Sequence, residues 1–311
     1  MTGVRSEEQR ELAATVRQLL AKRSDSAAVR SAAGSAEGYD TGLWAALCEQ
    51  IGVAALAIPE EYDGFGASLV ETAVVLEELG ENLAPNPLLA STLHAAQLLL
   101  HGTEADRAEL LPRLAAGEVR PFQLGRVLLE PDRTGDGRTG SMDQTLRLRV
   151  EREPVEDPTD VRDIATALVT ALQVGTMQRG LAMTVGYSKE RVQFGRPIGS
   201  FQALKHRMAD LLVLVEASRS ASWGATAAAA AYLQAPTDDN AAQLARLARA
   251  AGSYCTDALD TVAGEAIQLH GGIAITWEHD AHLLLKRAHA LGQLVGPAHR
   301  LRAALAEVPG D

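Results

Sequence analysis

Apolar positions recur along most of this chain at helical rather than alternating spacing. Ser6 and Gln9 stand three apart ahead of Leu12, Val16 and Leu19, the pattern of a capping box opening an amphipathic helix. Asp40 or Thr41 can cap a second helix through Trp44 and Leu47, and the run from Ala57 to Gly66, with Pro59 and two glycines, reads as a loop. Ser68 and Glu71 box the next helix, which turns Leu69, Ala73 and Leu76 inward and is expected to stop at Gly80. Pro85 and Pro87 interrupt the chain before an apolar run from Leu88 to Leu100.

Beyond Gly117 the pattern changes. Pro121, Pro131, Gly135, Gly137, Gly140, Pro154 and Pro158 make this the least helical part of the chain. Two alternating pieces, 122–129 and 146–150, can pair as strands. The stretch is too short for a barrel, because strands of ~5–6 residues with their turns need roughly twice the length. A hairpin or small remnant sheet is the most it can hold.

From Thr159 onward the spacing is helical again and the predicted helices are long. One runs from Thr159 to about Arg191. A second starts near Phe201, places Leu204, Met208, Leu211 and Val215 on one face, and ends at Pro236. A third opens at Thr237 and carries Leu244, Leu247, Ala251, Cys255, Leu259 and Val262 to the glycine pair Gly271–Gly272. A fourth, from about His279, carries Leu284, Ala288, Leu291 and Val295. Four long helices with short connections predict an up-and-down bundle. The organisation is therefore a helical domain over 1–117, a reduced middle β segment over 118–158 and a four-helix bundle over 159–311, a mostly α protein.

Composition narrows the function. Aromatics are only 4% of 311 residues, and the net charge is −11. An acidic surface argues against nucleic acid or anionic membrane as partner. Cys48 and Cys255 cannot make a disulfide framework, and no CxxC is present for zinc, so a reducing cytoplasmic compartment is the expectation. The first residues carry no apolar core with a cleavage site, and the uncharged run from Ser220 to Thr237 is too rich in alanine to insert into a membrane.

The P-loop, nucleophile-elbow, zincin and dinucleotide-fold motifs are all missing. His279, His282 and His289 fall within about 80° of one another on a helix, but no cysteine joins them and the spacing is loose for zinc, so no metal is expected. Two loops look built for a ligand. Glu190-Arg-Val-Gln-Phe-Gly-Arg-Pro-Ile-Gly-Ser-Phe-Gln202 joins two helices and brings two arginines, suited to a bidentate grip on phosphate. Gln268-Leu-His-Gly-Gly272 ends a helix in bare backbone, whose N–H groups a phosphate can approach. A plain helix–helix turn and an ordinary glycine C-cap are the competing readings of the same residues.

Taken in order, several runs resemble the acyl-CoA dehydrogenase family. These are Leu56-Ala-Ile-Pro-Glu-Glu-Tyr-Asp-Gly-Phe-Gly66, Leu110-Leu-Pro-Arg-Leu-Ala-Ala-Gly-Glu118, Glu190-Arg-Val-Gln-Phe-Gly195 with Ile198 and Gln202, and Gln268-Leu-His-Gly-Gly272. The resemblance implies an acyl-CoA dehydrogenase-like N-terminal helical domain and C-terminal four-helix bundle around a truncated middle β segment. It also implies FAD, shared between subunits. Arg191 would hold the pyrophosphate, Phe194 would pack against the cofactor, and Gln202 would bond near the adenosine end. Gln268, Gly271 and Gly272 would line the same ADP portion.

The family's carboxylate base is missing. Counted from the matching motifs, its two known positions are Val295 and Ala165, and neither side chain accepts a proton. The middle segment likewise has no counterpart of the run that holds the flavin ring. The chain thus resembles the shortened subunit of heteromeric α2β2 acyl-CoA dehydrogenases of bacterial steroid catabolism. That implies a full-length paralogue as partner, an acyl-CoA substrate at the partner's site and an external electron acceptor. A flavin-free scaffold of the same fold is one alternative. A self-sufficient homo-oligomer using Asp163 or Glu278 as an unusual base is another.

Overall fold

A computed structural model describes residues 5–130 and 142–308. Pro131, Gly135, Gly137 and Gly140 lie outside the described residues.

The N-terminal helices start where their caps require. Ser6 and Gln9 form the expected box before α1 (Glu7–Arg23), α2 (Ser26–Gly34) is capped by Asp25, and Asp40 rather than Thr41 caps α3 (Thr41–Ile51). Ser68 and Glu71 box α4 (Leu69–Asn82). The helix does not stop at Gly80 but runs two residues further. Gly80 is instead a point of close approach: a Cβ there would lie 2.5 Å from the Leu172 carbonyl oxygen, and one at Gly175 only 1.9 Å from that of Glu77. Glycine on both sides lets α4 cross the first bundle helix backbone to backbone. After α5 (Leu88–His101) and α6 (Glu104–Ala115) the chain enters the middle segment.

There β1 (Phe122–Leu124), β2 (Val127–Leu129) and β3 (Leu148–Val150) form a small antiparallel meander, with Phe122 opposite Leu129 and Leu129 opposite Leu148. The stretch 122–129, read as one alternating piece, is itself a hairpin, because Gly125 takes φ +56° and turns the chain. Phe122, Leu124, Leu129 and Leu148 point into the core.

The bundle is built from α7 (Thr159–Glu190), α8 (Gln202–Gln234), α9 (Asp238–His270), α10 (Ala281–Leu294) and α11 (Ala298–Ala306). At ~1.5 Å per residue the first three are roughly 50 Å long. The fourth, α10, carries the expected Leu284, Ala288 and Leu291 inward and ends beside Val295. Gly296 at φ +107°, a conformation that favours glycine, and Pro297 end it after 14 residues, and α11 takes up the chain. The inward stripe of α9 is Leu244, Ala248, Ala251, Cys255, Leu259 and Val262; Leu247, expected there, is one position off the stripe and partly exposed. Leu211 and Val215 of α8 are buried, while Leu204 and Met208 are half-buried. One apolar cluster runs from Val16 to Leu301 and joins N-terminal helices, meander and bundle.

A buried ion pair fixes the meander to the bundle. Arg287 of α10 and Asp143 are both fully buried, with Nε 2.7 Å from Oδ2. The same guanidinium donates to the Thr145 hydroxyl, and to the carbonyls of Thr145 at 3.0 Å and Leu83 at 3.3 Å.

Candidate nucleotide-binding end of the bundle

The expected site residues fall at one end of the bundle. Between α7 and α8 the chain forms a tight hairpin, β4 (Val192–Gln193) against β5 (Arg196–Pro197). Its two turn residues, Phe194 and Gly195, have φ +54° and +75°, the positive pair that a two-residue hairpin turn demands. Such a φ is costly for an aromatic residue. The Phe194 ring is nonetheless 92% exposed, touching only the edge of Phe201 at 6.1 Å between centroids. Strain and exposure together describe a side chain presented outward.

Arg191 sits at the base of that hairpin. Its N–H donates to the Tyr187 carbonyl at 2.9 Å, and its own carbonyl accepts from Ile198 at 2.8 Å. Its guanidinium is exposed and has no ion pair or hydrogen bond among the described residues. Gln202 opens α8, whose N-terminus has no side-chain cap, and the Leu204 and Lys205 N–H groups donate to the Phe201 carbonyl at 3.1 Å. The Gln202 amide lies 3.0 Å from His206 Nε2.

The second loop lies beside the first. Tyr187, one turn before Arg191, packs on His270 with ring centroids 4.6 Å apart, and Arg207 of α8 bonds Glu265 of α9 at 2.7 Å. Gln268 is exposed on the last turn of α9. Gly271 takes φ +66° and ψ −148°, and a Cβ on Gly271 or Gly272 would meet nothing within 4 Å. The structure therefore brings Arg191, Phe194, Gln202, Gln268, Gly271 and Gly272 to one bundle end as cation, aromatic, amides and bare backbone. This donor set suits a nucleotide diphosphate. It does not suit a flavin ring, which needs an enclosed pocket.

The two positions expected to match the family's base lie elsewhere, in the interior. Ala165 is fully buried in α7 and Val295 is 6% exposed at the end of α10. Beside Val295 an apolar hollow of about 190 Å³ is lined by Val127, Met142, Leu148, Val150 and Leu294. That is smaller than the ~300–1,000 Å³ of small-molecule sites. Asp163 is held by Arg249 through two 2.9 Å bonds, and burial, despite that arginine, pushes its carboxyl above the usual range. The exposed Glu278 carboxyl is held below its ordinary value by its own backbone N–H and the Thr276 hydroxyl. Among the described residues no group of three His, Cys, Asp or Glu is arranged to hold a metal ion. His279 stacks on His270 and His282 on Trp277.

Residues 6–118 match the profile of the acyl-CoA dehydrogenase N-terminal domain and residues 164–308 that of the C-terminal domain. The chain belongs to the acyl-CoA dehydrogenase family. It is 44% identical to the acyl-CoA dehydrogenase IpdE2 of Mycobacterium tuberculosis over 97% of this chain and 98% of that one. Among solved structures it is similar to a chain of the ChsE4-ChsE5 complex of the same organism, at 25% identity and TM-score 0.76 over all of both chains. It shares its fold, at 24% identity and TM-score 0.77 over 97% of each chain, with a Tcur3481-Tcur3483 steroid ACAD variant.

Proposed function

We propose that this chain is the shortened subunit of a heteromeric acyl-CoA dehydrogenase, α2β2 in composition, in which it lends a nucleotide grip to a full-length paralogue. The partner holds the acyl-CoA substrate and the reactive ring of FAD. This chain supplies Arg191, Phe194, Gln202, Gln268, Gly271 and Gly272 to the ADP end. Its units are the helical domain 1–117, the reduced segment 118–158 and the bundle 159–311.

One observation carries the reading: six ligand-type residues are exposed at one bundle end, while both base positions are closed in the core. Each residue type suits its task. The unpaired Arg191 fork matches two phosphate oxygens. Backbone beside Gly271 and Gly272 lets a phosphate reach N–H groups with no side chain between. Phe194 offers a flat apolar face that a partner or its cofactor would cover, and two amides serve the adenosine end.

FAD, when bound, supplies the two-electron acceptor for α,β-desaturation of a CoA thioester. The chain's own share is to bind and orient the far end of that cofactor. The likeness to a chain of the ChsE4-ChsE5 complex and to a steroid ACAD supports a paralogue partner and a bulky, steroid-derived acyl group. The reduced state of Cys48 and Cys255 fits a cytoplasmic setting, and no described helix is long and apolar enough to cross a membrane.

The test is coexpression with a full-length acyl-CoA dehydrogenase paralogue. The complex is expected to be yellow and to desaturate acyl-CoA with an added electron acceptor, while this chain alone is colourless and inactive. In the complex, Arg191→Ala is expected to release flavin while the two chains stay together. A flavin content untouched by Arg191→Ala would favour a scaffold role instead. A yellow, active oligomer of this chain alone would refute the shared site.

A further inference from the structure

The Gly271–Gly272 pair opens a short 3-10 helix, Gly271–Ile275, and an irregular, largely exposed stretch follows it as far as Asp280. Ile273, Ile275 and Trp277 are 45%, 75% and 61% exposed, and Ala274 is the one residue of that stretch sunk into the core. After that helix Thr276 donates its N–H and its hydroxyl to the Ile273 carbonyl at 3.1 and 2.9 Å, and the His279 N–H donates to the Thr276 carbonyl at 3.4 Å. A loop this exposed needs an anchor if its glycines are to keep a fixed place.

That anchor is at the far end. The Asp280 carboxylate accepts from the Ser26 hydroxyl at 2.6 Å, from Arg30 Nη2 at 2.8 Å and from Arg179 Nη2 at 3.2 Å. Ser26 and Arg30 belong to α2 of the N-terminal region, and Arg179 to α7 of the bundle. Arg30 also reaches the His279 carbonyl at 3.4 Å. Burial works to raise the Asp280 carboxyl, but the bonds from Ser26 and Arg30 and the charges of Arg179 and Arg30 outweigh it and keep the group ionised.

Holding Asp280 also holds its neighbour. His279 packs on His270 with centroids 4.5 Å apart, and His270 packs in turn on Tyr187. The His279 Nδ1 accepts from the Ala281 N–H at 3.1 Å. Burial and the nearby His270 keep His279 below its usual pKa. The stack connects the end of α9, which carries Gly271, to the last turn of α7, which carries Arg191.

We propose that Asp280 is a positioning residue: by tying the 271–280 loop to α2 and α7 together, it sets the Gly271–Gly272 turn in register with Arg191. The proposal rests on the shared nucleotide grip proposed above. It adds that α2, some 250 positions away in sequence, is part of the support of that grip.

The experiment has two arms. In the isolated chain, hydrogen exchange is followed over 271–279 for Asp280→Asn, which keeps the Ser26 bond but loses the charge that binds two guanidiniums. In the complex with the full-length paralogue, FAD dissociation is titrated for Asp280→Asn, Arg30→Ala, Asp280→Glu and Arg191→Ala. Exchange is expected to rise over 271–279 and not across α7 to α9, and FAD to dissociate about tenfold more readily in Asp280→Asn and Arg30→Ala, as fits loss of charge-assisted bonds. Asp280→Glu, which keeps the charge, is expected to recover part of the affinity. Unchanged loop exchange, or exchange that rises throughout the bundle, overturns the proposal. A loosened loop with full FAD affinity, in a complex where Arg191→Ala loses FAD, overturns it while leaving the shared grip standing. An Arg191→Ala complex that keeps its FAD removes both.

Discussion

At the scale of single residues, the groups proposed to grip a nucleotide and the groups proposed to support them come together in different ways. Arg191, Phe194 and Gln202 fall within one short run, and Gln268, Gly271 and Gly272 within another, so the two loops stand out locally and the family resemblance gives their residues roles. Asp280 gives no such signal, since its partners Ser26, Arg30 and Arg179 are brought to it only by the fold. Glu130 is a second case. It follows β2 at φ +50°, is buried, and has an Oε2 with no partner among the described residues, and burial raises its carboxyl from 4.5 to about 8 against the pull of Arg147. The folded chain keeps this proton between those two values while the unfolded chain releases it. The unfolded state then binds fewer protons, so stability falls as pH rises through the window. Glu130→Gln removes the titration. The melting temperature of the wild type should therefore drop relative to Glu130→Gln between about pH 5 and pH 8.5, in melts run at matched ionic strength. A constant difference across that range would show that Glu130 titrates normally.

At the scale of elements, capping boxes and 3.6-residue stripes located most helices, because each depends on residues a few positions apart. One expectation failed where tertiary contact took over. Gly80 reads as a stop, yet it is the place where α7 meets α4, and the glycine serves the crossing rather than the end. The fourth bundle helix ends where its stripe does, at Gly296 and Pro297, and a short fifth helix follows it. The attachment of the meander to α10 was invisible for a different reason, since Arg287 and Asp143 are 144 positions apart. Removing one member of a buried pair leaves the other charge uncompensated. Arg287→Met should thus cost roughly 3–5 kcal/mol in urea unfolding. It should also open the chain near β3 to limited proteolysis before the bundle melts. Replacing Asp143 by Leu in the same chain should recover much of that loss, because a matched apolar pair carries no desolvation penalty. A single variant as stable as the wild type would mean that the pair holds nothing in place.

At the scale of the whole molecule, the question is whether a base is all that this chain lacks. If only the carboxylate were missing, restoring it at a family position would restore chemistry. The packing argues otherwise. Val295 is 6% exposed among Leu294, Ala290 and the meander, and Ala165 has no exposed surface at all. A glutamate at either position enters the apolar core without a donor, where the charged form is disfavoured and the carboxyl takes up a proton. General-base catalysis needs an ionised group within hydrogen-bond reach of the substrate. The neighbouring hollow of about 190 Å³ is too small to bring a CoA thioester there. Val295→Glu in the isolated chain should therefore lower stability by roughly 2–4 kcal/mol and give no desaturation of any acyl-CoA tested. Ala165→Glu, placed deeper, should be the more destabilised of the two. Desaturation by either variant alone, read from electron-acceptor reduction, would mean that a complete site can assemble within one chain, and that the exposed grip at the bundle end serves a neighbour of the same kind.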